Sequence, residues 1–241
     1  MLLFLLHTVN DELILRLYFS NTITGPNQAL SKQSGMNWYE DEVVRVEKER
    51  GKLLYEPEIV FYGSSSITLW TTLYQDFDSK KPLNLGFGGS TIAACSWFFE
   101  RIVAPVTSAK KIILYAGDND LGDGRNPEEV CLFYRLLVGQ IREAFGDIPV
   151  YYISIKPSLH RWEIIGKIKT ANRLIREETQ ADPFQHFIDV FPLMLNVQGT
   201  PSKILFEADG LHLSREGYAL WAKAINDFIE EEKNTSPGYQ L

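Results

Sequence analysis

The sequence predicts an α/β protein: a doubly wound, five-stranded parallel sheet between helices, a flavodoxin-like three-layer arrangement, with an N-terminal β-hairpin extension. Short apolar runs rich in β-branched and aromatic residues, such as Ile59-Val60-Phe61-Tyr62 and the segment Lys111 to Ala116, read as strands buried on both faces. Longer stretches with apolar residues at helical spacing separate them, and that alternation argues for a parallel sheet. Polar loops follow three of the strands directly: Gly63-Ser64-Ser65-Ser66, Gly88-Gly89-Ser90-Thr91 and Gly117-Asp118-Asn119-Asp120. In a doubly wound sheet, ligands sit beyond the carboxyl ends of the strands, so these loops should converge on one edge.

At the start of the chain, Leu2 to Val9 and Leu13 to Phe19 flank Asn10-Asp11-Glu12 and read as the hairpin. Two roles are open to it: covering a sheet edge, or contacting a second copy of the chain in a homo-oligomer. The opening MLLFLLHTV has the apolarity of a signal-peptide core. It lacks a basic leading region and a small-residue cleavage site, so the reading slightly favours a soluble cytoplasmic protein. Asn21 to Gly35, rich in Ser, Asn, Thr and Gly, reads as a linker and sets the boundaries: 1–35 hairpin and linker, 36–232 main domain, 233–241 polar tail.

Trp38 to Leu54 carries a helical pattern with a charged outer face, and Ile67 to Leu73 resumes helical spacing after the serine turn. Leu83 to Gly86 is a short strand, followed by a helix to about Ala104, near Pro105. Pro127 opens a long helix through about Phe145, a position where proline's missing N–H costs nothing. Pro149 to Ile155 and His186 to Val190 complete the strands, with a patterned helix to about Ala181 between them. Ser214 is placed to cap a last helix, with Glu216 as a box partner, and the chain becomes a polar tail from Glu230. Trp38, Trp70, Trp97 and Trp221 fall on helical faces and are expected in the core; His7 and His186 lie in apolar stretches and read as structural.

Of 241 residues, 45% are hydrophobic and 23% charged, ordinary for a globular domain of this length. The formal charge of −7 argues against nucleic acid or an anionic membrane as a partner. No apolar run approaches the roughly 20 residues that would cross a bilayer. Cys95 and Cys131 lack metal or redox spacing and read as small buried hydrophobes.

A serine in a turn between strand and helix lies beside free backbone N–H groups, where an oxyanion product is stabilised; it is also the commonest helix cap. The side-chain amide of Asn119 can donate to developing negative charge. Asp209-Gly210-Leu211-His212 places a carboxylate and an imidazole three residues apart, so that Asp209 can hold one ring nitrogen and leave the other free to take a serine proton. Together these blocks resemble the SGNH (Gly-Asp-Ser-Leu, GDSL) hydrolase superfamily over roughly Trp38 to Phe228. The resemblance implies Ser65 as nucleophile and Asp209 and His212 as its triad partners. It also implies an oxyanion hole from the N–H groups of Ser65 and Gly89 and the amide of Asn119. Ser64 stands where the family carries Asp, and Ser66 replaces the residue after the nucleophile.

The activity so implied is hydrolysis of small, short-chain acyl esters, with no metal or organic cofactor; deacetylation of carbohydrate is the preferred reading within that class, with lysophospholipid and thioester hydrolysis open beside it. His160, Arg161 and Trp162 follow the fourth strand and are expected at the pocket rim, Arg161 to meet an acidic or hydroxyl group and Trp162 to stack on a sugar. Three rival readings exist. Asp118, Asp120 and Glu129 match calcium-loop positions, but Gly122 and Asp123 stand in the wrong order for one. A flavodoxin-like phosphate- or nucleotide-binding module would use the serine and Gly88-Gly89 turns and leave Asp209 and His212 idle. A non-catalytic binding relative would keep the fold and hydrolyse nothing.

Overall fold

A computed structural model describes residues 36–235; the hairpin, the linker and the end of the tail lie outside them. Five strands, β1 (Ile59–Gly63), β2 (Pro82–Gly86), β3 (Lys111–Tyr115), β4 (Val150–Ile153) and β5 (Gln185–Ile188), form one sheet in the order β2-β1-β3-β4-β5. Every pairing is parallel. Parallel strands need crossover connections, and the helical segments between them supply these. Helix α1 (Glu40–Arg50) precedes β1; the connecting segments are α2 (Ser65–Thr68), α3 (Leu73–Asp76), α4 (Ile92–Ile102), α5 (Asp118–Gly122), α6 (Pro127–Phe145) and α7 (Ile165–Gln180); and α8 (Arg215–Thr235) follows β5.

Alternation along the strands separates two cores. Val60, Tyr62, Ile112, Leu114, Val150 and Tyr152 face α1, α4, α6 and α7. Ile59, Phe61, Ile113, Tyr115, Tyr151 and Ile153 face the opposite layer, where α8 packs with Trp70 and Phe77. Both faces of the central strands β1, β3 and β4 are thus buried, which is why these strands read as continuous apolar runs and not as alternating ones.

Several details differ from the sequence reading. The segment Ile67 to Leu73 is broken: α2 ends at Thr68 and α3 begins at Leu73. Trp70 leaves helical register to enter the core, its indole N–H donating to Asp76 Oδ2 at 2.7 Å, and Thr71-Thr72 are weak helix formers. The last helix continues past Glu230 to Thr235, because Glu and Lys, though polar, have good helix propensity. Trp70 and Trp221 are buried, but Trp38 and Trp97 are 64% and 51% exposed. Trp97 lies on a helix with apolar residues nearly all round, of which Phe98 and Phe99 take the inward positions. Ser214 Oγ accepts from Gly217 N at 3.2 Å as expected of a cap, yet this makes Gly217 the third helical residue and leaves Glu216 one place too early for a box. Among the described residues, no helix is long and apolar enough to cross a membrane.

The sheet order reverses between β1 and β3, and such a switch point opens a crevice at the carboxyl ends of the strands. Gly63, the last residue of β1, is paired with Gly86 of β2 on one side and Tyr115 of β3 on the other. The three polar loops therefore leave the sheet at one level.

Candidate active site

The nucleophile turn is set by a close approach of two strands. Gly63 has φ +145°, and a Cβ there would lie 1.9 Å from the Tyr115 carbonyl oxygen, so only glycine fits. Ser64 N donates to that same oxygen at 2.9 Å, and the chain then enters α2. Ser64 occupies the N-cap position but makes no side-chain capping bond, and Ser65 is the first helical residue. Its N–H has no helical carbonyl to bond, as at any helix start. Of the three serines, Ser64 and Ser66 are buried and Ser65 is part-exposed. Only the last faces the crevice.

The loop before α8 brings the imidazole to it. His212 Nε2 lies 3.2 Å from Ser65 Oγ, and His212 Nδ1 lies 2.6 Å from Asp209 Oδ2. The other carboxylate oxygen, Asp209 Oδ1, accepts from the backbone N–H groups of Leu211 at 2.9 Å and His212 at 3.0 Å. A carboxylate three residues ahead of a histidine closes this compact turn, and Gly210 at φ +67° lets the chain reverse within it. The backbone bond from Leu211, with those from His212, draws the Asp209 carboxyl down from 3.8 to about 2 against slight burial. His160 N donates to Gly210 O at 3.0 Å, fastening the loop after β4 to the same turn.

The second loop places Gly89 at the rim, exposed, at φ +70°. Helix α1 and the residue before it secure this loop: Tyr39 Oη donates to Gly89 O at 3.3 Å, Gly88 N donates to Glu42 Oε2 at 2.8 Å, and Arg45 donates to Gly86 O at 3.0 Å. Glu42 thus takes an N–H that a phosphate-binding turn would offer its ligand.

Each side chain of the third loop has a separate partner. Asn119 Nδ2 donates to Ser90 O at 3.0 Å, which ties α5 to the Gly89 turn and leaves one amide hydrogen for another acceptor. Asp120 accepts from Ile92 N at 2.8 Å, and burial raises its carboxyl to about 6 despite Arg125 at 3.4 Å. Asp118 faces Lys156 and Arg161. Glu129 closes the capping box of α6 with Asn126. The three acids of the calcium-like pattern point to separate partners, and among the described residues no group of three or more His, Cys, Asp or Glu could hold a metal.

Lys156 is the feature the sequence reading passed over. It is buried, and its ammonium contacts Asp118 Oδ2 at 2.9 Å, Tyr115 Oη at 3.0 Å and Ser66 Oγ at 3.3 Å. Burial alone would favour the neutral amine, but the carboxylate and phenol outweigh it and hold the lysine protonated. The available signal was one charge directly after the apolar run ending at Ile155. Of the expected rim residues, Arg161 turns its guanidinium inward to Asp118 and Asn119, His160 is exposed, and Trp162 is half-buried at the start of the next turn.

With the loops in place, comparison with known proteins decides the family. A sequence profile of the GDSL-like lipase/acylhydrolase family matches residues 62–220. The chain belongs to that family. As a GDSL-like acylhydrolase it is a serine hydrolase acting on ester bonds. The platelet-activating factor acetylhydrolase IB subunit alpha1 of Pongo abelii is 28% identical over 181 residues, covering 72% of this chain and 76% of the relative. A GDSL-like lipase from Bacteroides thetaiotaomicron has a similar fold, with a TM-score of 0.68 at 21% identity over 79% of this chain and 98% of its own. A carbohydrate esterase family 3 structure from Talaromyces cellulolyticus gives 0.57 at 17% identity, over 75% of this chain and all (100%) of its own. The acylhydrolase family match excludes the reading as a flavodoxin-like binding module.

Proposed function

We propose that this GDSL-like hydrolase cleaves short-chain acyl esters, acetyl esters first, through Ser65, His212 and Asp209. The observation that carries the reading is the single imidazole lying 3.2 Å from the Ser65 hydroxyl and 2.6 Å from the Asp209 carboxylate. His212, held by Asp209 with its proton on Nδ1, takes the serine proton at Nε2 as Ser65 Oγ attacks the ester carbonyl. The N–H groups of Ser65 and Gly89 and the free amide hydrogen of Asn119 receive the oxyanion. His212 then protonates the departing alcohol, and water, deprotonated by the same imidazole, releases the acyl group. Every proton step uses groups of this chain, with no call on a metal or an organic cofactor.

The name of the curated relative supports acetyl as the acyl group. For the alcohol we propose a sugar hydroxyl, with the Trp162 ring as its stacking surface; platelet-activating factor, named in that relative, is the second candidate. Hydrolysis of p-nitrophenyl acetate, butyrate and octanoate should fall steadily with chain length. An acetylated oligosaccharide and platelet-activating factor then separate the two alcohols. A preference for octanoate would reject the short-chain reading, and no hydrolysis of any ester would reject catalysis and favour a non-catalytic binding role.

A further inference from the structure

The Asn119 amide can stabilise an oxyanion only in one of its two orientations, because a flipped side chain would present an acceptor oxygen to the developing charge. Two neighbours set that orientation. Ser90 O accepts from Nδ2 at 3.0 Å, and Arg161 Nη2 donates to Oδ1 at 3.4 Å. A flip would set oxygen against the Ser90 carbonyl and N–H against the guanidinium, so both contacts would become repulsive.

We propose that Arg161 is a positioning residue for the oxyanion hole: backed by the buried Lys156–Asp118 pair, it locks the Asn119 amide with its hydrogen toward the reacting carbonyl. The proposal rests on the esterase reading above. Arg161 Nε approaches Asp118 Oδ1 at 3.2 Å, off the hydrogen-bond axis, so charge holds the pair. Asp118 is in turn fixed from its other oxygen by Lys156 at 2.9 Å, and the side chains of Asp118 and Lys156 are 5% and 2% exposed. The guanidinium also lies directly over Gly122. A Cβ at that position would come within 1.5 Å of Arg161 Nη1, and a side-chain end rather than backbone occupies the space. The chain from Ser66 through Lys156, Asp118 and Arg161 to Asn119 therefore links the nucleophile turn to the oxyanion hole beneath the substrate site.

The test uses p-nitrophenyl acetate with the full chain. Arg161→Met should lower kcat by about 10- to 100-fold with KM within about threefold, since an interaction made mainly in the transition state is lost. Gly122→Ala should lower kcat in the same direction by displacing the guanidinium, while the gain in helix propensity offsets part of the ion pair lost and keeps the protein folded in a thermal melt. Arg161→Lys should recover part of the loss, because it keeps the charge on Asp118 without the planar fork. Asn119→Ala should cost about 10²–10³ in kcat, and adding Arg161→Met to it should cost no more than about threefold further, since a residue acting through Asn119 has nothing left to position. Wild-type kcat in Arg161→Met or in Gly122→Ala overturns the proposal, as do losses that multiply in the double variant. If the wild type itself hydrolyses no ester, the esterase reading fails first and takes this inference with it.

Discussion

Replacing Ser65 with Ala is expected to reduce turnover of p-nitrophenyl acetate by about 10⁴-fold or more, because without the nucleophile only binding and the oxyanion donors remain. Thermal unfolding should be unchanged. Ser65 is part-exposed at the first position of α2, and its hydroxyl touches only His212 Nε2 among the described contacts. The neighbouring serines provide the contrast. Ser64 is buried with its N–H on Tyr115 O, and Ser66 is buried against Lys156, so neither hydroxyl reaches the crevice. Ser64→Ala should keep at least about a tenth of wild-type turnover, as expected of a group outside the reacting set. Steady-state kinetics with melting curves on the same preparations checks both. A Ser65→Ala variant with full activity, or a Ser64→Ala variant as dead as it, would remove Ser65 from the mechanism.

Asp209→Asn is expected to cost about 10⁴-fold in kcat near neutral pH, although the change is nearly isosteric. The reason lies in the backbone. The N–H groups of Leu211 and His212 both point at Oδ1, so an asparagine must keep its oxygen there and turn its NH2 toward His212 Nδ1. That NH2 can pair only with an unprotonated Nδ1, which forces the ring proton onto Nε2, facing Ser65. The imidazole then offers a donor where the mechanism needs an acceptor. Proton-observed NMR of the ring hydrogens should show the exchange of tautomers, and a variant retaining more than about a tenth of wild-type kcat would exclude the orienting role.

The pH dependence has a definite sign. The Asp209 carboxyl is lowered from 3.8 to about 2. A group depressed on folding contributes stability above its unfolded value and loses it as pH falls through the folded one. Any loss of activity between about pH 4 and 7 therefore belongs to another group, since Asp209 stays ionised throughout.

The legible parts of the fold were those fixed by local pattern. Strands buried on both faces announce themselves as unbroken apolar runs, and Pro127 marked the start of α6 to the residue. The reach of side chains across the fold was less legible. Trp70 leaves its helix to fill a gap among Phe61, Phe77, Tyr218 and Trp221, which no local periodicity encodes. Trp97 reads as core beside Phe98 and Phe99 because a rather uniformly apolar helix carries little phase information. Around the site, two of the four short blocks, Gly63 to Ser65 and Asp209 to His212, carry side chains that the fold brings into contact. Their supports, Lys156, Arg161 as a partner of Asn119, and the Tyr39, Glu42 and Arg45 clasp on the glycine turn, arise from contacts 38 to 90 residues apart and have no motif of their own.

One measurement bears most directly on whether Ser65 carries the acyl group: covalent labelling with a fluorophosphonate, followed by peptide mass spectrometry across Gly63 to Thr68. A single adduct on Ser65, formed by the wild type and abolished in His212→Ala, is the predicted result. An adduct on Ser64 or Ser66, or labelling that proceeds equally well without the imidazole, would contradict it.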